Sequence, residues 1–261
     1  MSEPRVLISG ASAGLGEEFA RQLAAQGRDL VLVARRSKPM EKLAAELHDE
    51  YNVAVDVIGA DLSVEGEPGR LFAEVQRRGL AIDYLINNAG SAGPDLIRNR
   101  DWEATERYLE LMVMSYAAMC HYFIPPMRER GDGRVINVAS VAGLISFAGD
   151  YSYGPTKAYL VSLSRSLSLS FRDEGVRVMA LCPGFTHTDF HASEQQTKMK
   201  KGTPEFLWYD ADVVVREGLA AVERGCATYT SGRLYRWTVP VLKTAVGRWL
   251  LRKFGVVRRG H

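Results

Sequence analysis

Tyr153 and Lys157 stand four residues apart in the run Tyr153-Gly154-Pro155-Thr156-Lys157. On a helix, that spacing puts a phenol and an ammonium on one face. A free tyrosine titrates near 10 and is a weak acid at neutral pH. A lysine charge beside it favours the phenolate and lowers that value. Lowering it by about three units takes roughly 4 kcal/mol of differential stabilisation, expected here from a lysine, a cofactor charge and partial burial together. The pair alone arises often by chance, so its meaning rests on what else the chain carries.

A second pattern concerns phosphate. Ser9-Gly10-Ala11-Ser12-Ala13-Gly14-Leu15-Gly16 follows a strand-like run and opens a helical one. Glycines let a backbone turn tightly and approach a pyrophosphate, whose charge suits a helix N-terminus. Gly10, Gly14 and Gly16 alone describe any tight turn; their place between a first strand and a first helix favours a nucleotide. Dinucleotide folds commonly end the second strand in an acid that binds the ribose 2′-hydroxyl. Here that strand ends Val33-Ala34-Arg35-Arg36. Guanidinium groups suit a 2′-phosphate, so NADP(H) is expected rather than NAD(H).

The elements that must position these residues alternate along the chain. Strands are expected at Val6–Ser9, Leu30–Val33, Val53–Ile58, Tyr84–Asn87, Val135–Val138, Val176–Leu181 and Ala227–Thr230. Helical patterns lie near 15–26, 39–50, 67–78, 102–130, 154–173 and 211–224. Such β-α alternation predicts an α/β fold: a doubly wound, Rossmann-like parallel sheet between two helix layers, with ligands at the carboxyl ends of the strands. The serine-rich stretch 162–170 alternates like a strand. A stripe of Leu160, Leu163, Leu167 and Phe171, with Pro155 at the start and Gly175 at the end, favours a helix. Its small serines then suit close helix packing or a subunit interface.

The chain has 261 residues, 46% of them hydrophobic, enough for one α/β domain. No window offers the ~18 unbroken apolar residues of a membrane span. The strand-like run from Arg5 leaves no room for a signal peptide, so a cytoplasmic protein is expected. Cys120, Cys182 and Cys226 have no metal or disulfide spacing and read as buried, reduced thiols. His187 and His191 lack partners at ligand spacing, so no metal site is assigned. The net charge of +2 hides an asymmetry: nine basic residues and no acid follow Glu223, which leaves −7 on the rest.

Taken together, Gly10-x3-Gly14-x-Gly16, Asn87-Asn88-Ala89-Gly90, Ser140, Tyr153-x3-Lys157 and Pro183-Gly184 occur in an order and spacing that resemble the short-chain dehydrogenases/reductases. The resemblance covers residues 5–225. It implies a nicotinamide cofactor and carbonyl–alcohol hydride transfer. Ser140 would then bind the substrate oxygen, Tyr153 exchange the proton, and Lys157 bind the nicotinamide ribose and lower the tyrosine pKa. Ser12, Leu15, Asn88, Ala89 and Gly90 would line the cofactor, with Asp61 and Leu62 near the adenine. A helix N-terminal acid is an equal alternative for Asp61. Pro183, Gly184 and Thr188 would hold the nicotinamide end. Met112 departs from the family, which usually places there an asparagine that supports a water leading to the lysine. A thioether is a poor substitute for an amide, and Ser115 is the nearest alternative.

On the substrate side, Phe185, Phe190, Phe206, Leu207, Trp208 and Tyr209 suggest an apolar lid or simply a packed loop. With Met112 and Met114 they favour a bulky apolar ketone or alcohol. Residues 1–235 are expected to form the catalytic domain and 236–261 a basic amphipathic tail, which docks on protein or lies at a membrane surface. No motif points to nucleic acid, and a homo-oligomer, dimer or tetramer, is expected. The competing functions are a 3-oxoacyl or other lipid-ketone reductase and, in another class, an NADP(H)-binding sensor without turnover.

Overall fold

The computed structural model describes residues 4–147, 149–187, 204–242 and 244. Its strands and helices alternate as β1 (Arg5–Ser9), α1 (Gly14–Ala24), β2 (Leu30–Ala34), α2 (Ser37–Tyr51), β3 (Val55–Gly59), α3 (Glu67–Arg77) and β4 (Ile82–Asn87). The second half runs α4 (Trp102–Leu109), a π-helical turn Glu110–Met114, α5 (Ser115–Arg130), β5 (Gly133–Val138), α6 (Tyr153–Phe171) and β6 (Val176–Cys182). It closes with β7 (Phe185–His187), β8 (Trp208–Asp210), α7 (Ala211–Glu223), β9 (Thr228–Thr230) and α8 (Arg233–Leu242).

Seven strands pair in the order β3-β2-β1-β4-β5-β6-β9, all parallel. The chain winds outward from β1 in one direction, then restarts at β4 on its other side. That reversal between β1 and β4 opens a crevice at the strands' carboxyl ends, the usual ligand position in such sheets.

Period-2 side-chain alternation explains the two helix layers. Val6 and Ile8 of β1, with Leu30 and Leu32 of β2, face α1, α2 and α7 in one apolar cluster. Leu7, Val31 and Val33 point the other way, into a cluster with α3 and α5. These strands are apolar on both faces because both are covered. Each fully buried Leu, Ile or Val contributes roughly 1.5–3 kcal/mol.

The serine-rich stretch is helical. α6 ends in a 3₁₀ turn, Arg172–Glu174, and Gly175 at φ +82° breaks it. Ser164 and Ser168 are buried and Ser162, Ser166 and Ser170 exposed. Ser164 Oγ donates to the Leu160 carbonyl at 2.7 Å, a bond within the helix turn. The expected single helix 102–130 is instead interrupted by the π turn, which carries Met112. α8 spans position 235 and docks through buried Tyr235 and Val239. No described helix is long and apolar enough to cross a membrane.

Candidate active site

The crevice is closed on the β1 side by backbone packed on backbone. Gly10 sits at φ +69°, a conformation other residues adopt only with strain. A Cβ on Gly16 would stand 2.2 Å from the Gly10 carbonyl oxygen and 2.7 Å from Asn88 Nδ2, so nothing larger fits. Asn88 Nδ2 donates to the Ser9 and Gly10 carbonyls at 3.1 and 3.3 Å. Ser9 Oγ accepts from the Asn88 and Ala89 amides at 2.9 and 3.1 Å. This clamp joins the first loop to the loop after β4, and Ser9 is a part that the sequence reading passed over. Only its place at the end of a strand, before glycine, hinted at it. The α1 N-terminus has no side-chain cap, which leaves its first amides open to an anion. Ser12 and Leu15 lie half-buried along it.

Arg35 and Arg36 follow β2 directly and are both exposed. Asp61 lies after β3, two turns before α3. Burial works to raise its carboxyl, but hydrogen bonds from the Ser63 hydroxyl (2.7 Å) and amide (3.1 Å), with Arg35 and Arg107 nearby, hold it below its ordinary value. It therefore makes an Asx-type turn rather than capping α3. Leu62 is buried in the core.

Ser140, just past the end of β5, is in extended backbone, and its Oγ accepts from the Ala142 amide at 3.1 Å. The following 3₁₀ turn packs against the first turns of α6. A Cβ on Gly143 would meet the Lys157 carbonyl carbon at 2.5 Å. Asp150 Oδ2 accepts from the Gly154 amide at 2.8 Å, which fixes the start of α6. Ser140, Tyr153 and Lys157 thus converge, and the Ser140 hydroxyl hydrogen-bonds the Tyr153 phenol.

The electrostatics of the pair differ from the sequence expectation. Burial pushes the Tyr153 phenol up to about 12; the Ser140 bond opposes this, and Asp150 and Cys182 add to it. Burial also drives Lys157 down to about 7. Its Nζ donates to the Val138 carbonyl at 2.8 Å and lies 5.7 Å from the Tyr153 ring centroid. Spacing put both residues on one face, but the cost of removing charge from water outweighs the lysine's pull on the phenol. Tyr116 was not anticipated: it is buried, 5.3 Å from Lys157 Nζ, and donates to the Ala89 carbonyl at 3.0 Å. One aromatic among several in a long helix gives no sequence signal.

Met112 is fully buried, and its Sδ accepts a weak hydrogen bond from the Ser91 amide at 3.4 Å, against Gly90. Ser115 Oγ is committed to the Leu111 carbonyl at 2.7 Å. Below the site, Asn87 Nδ2 donates to Asn137 Oδ1 and Asn137 Nδ2 to Ser164 Oγ, each at 2.9 Å, which links β4, β5 and α6. Cys120 lies beside this chain and Cys182 in β6; both are buried, whereas Cys226 is half-buried, and none of the three is in a disulfide.

On the substrate side, Ile145, Tyr235 and Val239 form a buried apolar cluster, joined by Phe147, Phe185, Leu207 and Tyr209. Tyr235 lies tight against Gly184, and its hydroxyl donates to the Leu207 carbonyl at 2.8 Å. Of the expected lid, Phe185 and Trp208 meet as a tilted pair with centroids 5.2 Å apart, while Phe206 is 69% exposed. Pro183 is buried behind them. Thr188, Phe190 and His191 lie outside the described residues, as does most of the tail. Tyr235 in α8, packed on Gly184 and bonded to Leu207, is a residue that the sequence assigned to no role.

Comparison with known proteins agrees over most of the chain. The short chain dehydrogenase family profile matches residues 4–199. An NADP-dependent 3-hydroxy acid dehydrogenase from Schizosaccharomyces pombe is 32% identical over 188 residues, 71% of this chain and 72% of that protein. A short-chain dehydrogenase from Sphingobium yanoikuyae, solved in complex with NADPH, superposes with TM-score 0.78 at 29% identity, covering 99% of this chain and 98% of that one. The bulky-bulky ketone specific alcohol dehydrogenase from Comamonas testosteroni superposes with TM-score 0.77 at 26% identity, covering 100% and 97%. With sheet order, motifs and three quarters of the sequence in agreement, the chain belongs to the short chain dehydrogenase family and is an oxidoreductase acting on alcohols and ketones.

Proposed function

We propose that this protein interconverts a bulky, apolar ketone and its alcohol with NADP(H), through Ser140, Tyr153 and Lys157. The observation that carries the reading is the meeting of the Ser140 and Tyr153 hydroxyls at the carboxyl end of β5, with Lys157 held beneath. The residues suit a dinucleotide phosphate. Gly10 and Gly16 leave a cradle that a side chain would fill, the α1 N-terminus is uncapped, and Arg35 and Arg36 are exposed where a 2′-phosphate belongs. When bound, the nicotinamide supplies or accepts the hydride.

The protein's own part is placement and proton handling. Ser140 donates a hydrogen bond to the substrate oxygen, and Tyr153 gives that oxygen its proton in reduction and takes it back in oxidation. Lys157 holds the ribose and adds positive charge that favours the phenolate as it forms. Asn88, Ala89, Gly90, Asp61, Leu62, Pro183, Gly184 and Thr188 complete the proposed cofactor contacts. The apolar cluster around Tyr235 supports a bulky substrate, as does the likeness to the Comamonas testosteroni enzyme.

A panel of carbonyls and alcohols, read by NADP(H) and NAD(H) absorbance, tests the reading. Turnover of bulky ketones with preference for NADPH is expected; no turnover of any carbonyl would sink it and favour a sensor. A lipid-ketone reductase at a membrane surface is the second reading. Trp237 and Val241 favour it: one helical turn apart on α8, they are 80% and 57% exposed. Sedimentation with anionic vesicles at low salt tests that contact through the 236–261 tail, and no binding removes it. Residues 1–235 remain the proposed catalytic domain, and size-exclusion chromatography tests the proposed homo-oligomer.

A further inference from the structure

We propose that Tyr116 is a positioning residue: its ring face holds the Lys157 ammonium in place, and its hydroxyl ties that ammonium to the loop after β4. This inference rests on the acid–base centre proposed above. Lys157 is 4% exposed. Its Nζ donates to one backbone carbonyl, that of Val138. Among the described residues no carboxylate forms an ion pair with it.

A buried ammonium with so little polar company is costly. What faces it instead is aromatic: Tyr116 from α5 at 5.3 Å and Tyr153 from its own helix at 5.7 Å. Ring faces carry partial negative charge and attract a cation more strongly away from water. From β6, Cys182 acts on it weakly, and β5 offers only the Val138 carbonyl. Asp150 and Tyr108 act on the tyrosines rather than on the lysine.

Tyr153 is committed to proton exchange, so its electron distribution changes during turnover. Tyr116 is not. Its ring is 1% exposed and its hydroxyl is anchored on Ala89, so it cannot swing away. It therefore holds the lysine charge through the reaction cycle and couples its position to the loop proposed to line the cofactor. That contact stands beside Met112, where the family's usual amide is missing.

The test follows the Lys157 titration itself. Protein carrying [ε-¹³C]lysine is titrated without cofactor, and the Lys157 signal is assigned by its loss in Lys157→Arg. Because a ring face favours the ammonium, its removal lowers the titration midpoint. Tyr116→Leu and Tyr116→Met are expected to bring it down by about one pH unit. Tyr116→Phe, which keeps the ring, is expected to stay within about 0.3 unit. The basic limb of the kcat–pH profile moves the same way. Methionine fills the space of the ring if leucine fails to fold, as judged by thermal melting. An unchanged midpoint in a folded Leu or Met variant overturns the proposal, and so does a Tyr116→Phe shift as large as theirs. Midpoints that move as expected in a wild-type protein without any hydride transfer would support the ring contact and overturn the catalytic reading.

Discussion

Around Gly10 and Gly16 the molecule makes its surface from backbone, whereas around Tyr153 it makes one from buried, ionisable side chains. In the first region the margin is steric: a Cβ on Gly16 would overlap the Gly10 carbonyl. In the second the margin is electrostatic: burial raises a phenol to about 12 and lowers an ammonium to about 7. The contrast teaches how each responds to change. The loop tolerates almost no added atom yet is indifferent to pH. The helix that carries Tyr153 and Lys157 is expected to accept isosteric change in shape and to respond to change in charge.

The largest expected effect breaks the electrostatic side. Tyr153→Phe preserves packing and removes the proton, so kcat should fall by roughly 10²–10⁴ while NADPH binding stays. Stopped-flow absorbance and cofactor fluorescence separate the two; retained hydride transfer would refute Tyr153 as the acid. On the steric side, Gly16→Val should prevent the loop from closing. NADPH affinity is then expected to drop by roughly 100-fold, with a lower melting temperature, because overpacking costs about 1–3 kcal/mol. An unchanged Kd would mean that the loop adjusts.

A smaller effect sharpens the cofactor side. Arg35→Ala and Arg36→Ala should each weaken NADPH by roughly tenfold, since a charged hydrogen bond contributes about 1.5–3 kcal/mol and these groups are exposed. NADH binding should not change. Equal loss of both cofactors would place the arginines elsewhere.

Lys157 gives a stability signature with a definite sign. Its folded value, about 7, lies below its ordinary 10.5. Between those pH values the unfolded chain holds a proton that the folded chain has released. Stability therefore rises with pH across that window, with a slope approaching ~1.4 kcal/mol per unit. Lys157→Met should lack this rise, so its advantage over wild type shrinks from pH 7 to pH 10 in urea titrations. Parallel curves would show that the lysine stays charged.

The smallest expected effect concerns Met112. Replacing it with asparagine supplies the amide that the family usually places there and should raise the proton-transfer rate modestly. If neither the rate nor the solvent isotope effect changes, proton delivery takes another route.

Much of the architecture was legible because it follows from local period. Short, continuous apolar runs marked the strands, and glycine and proline placement bounded α6 against a competing strand pattern. The motifs also put the proposed cofactor and acid–base residues in register with those strands. The π turn at Glu110–Met114 was hidden, since one extra residue in a helical turn leaves no mark on a stripe of mixed side chains. The clamp made by Ser9 was hidden too, because its partners Asn88 and Ala89 are 79 and 80 positions away.

The sequence by itself determined the family, the doubly wound order of elements and the residues that meet at the carboxyl end of β5, because these depend on spacing and short-range turn chemistry. Only the tertiary structure decided the environment of those residues. It placed Lys157 against Tyr116 and the Val138 carbonyl, set Tyr235 over Gly184, and turned a predicted lowering of the Tyr153 pKa into a rise. The reason is that desolvation and aromatic contact depend on what comes near in space, and the residues responsible are dozens of positions apart in the chain.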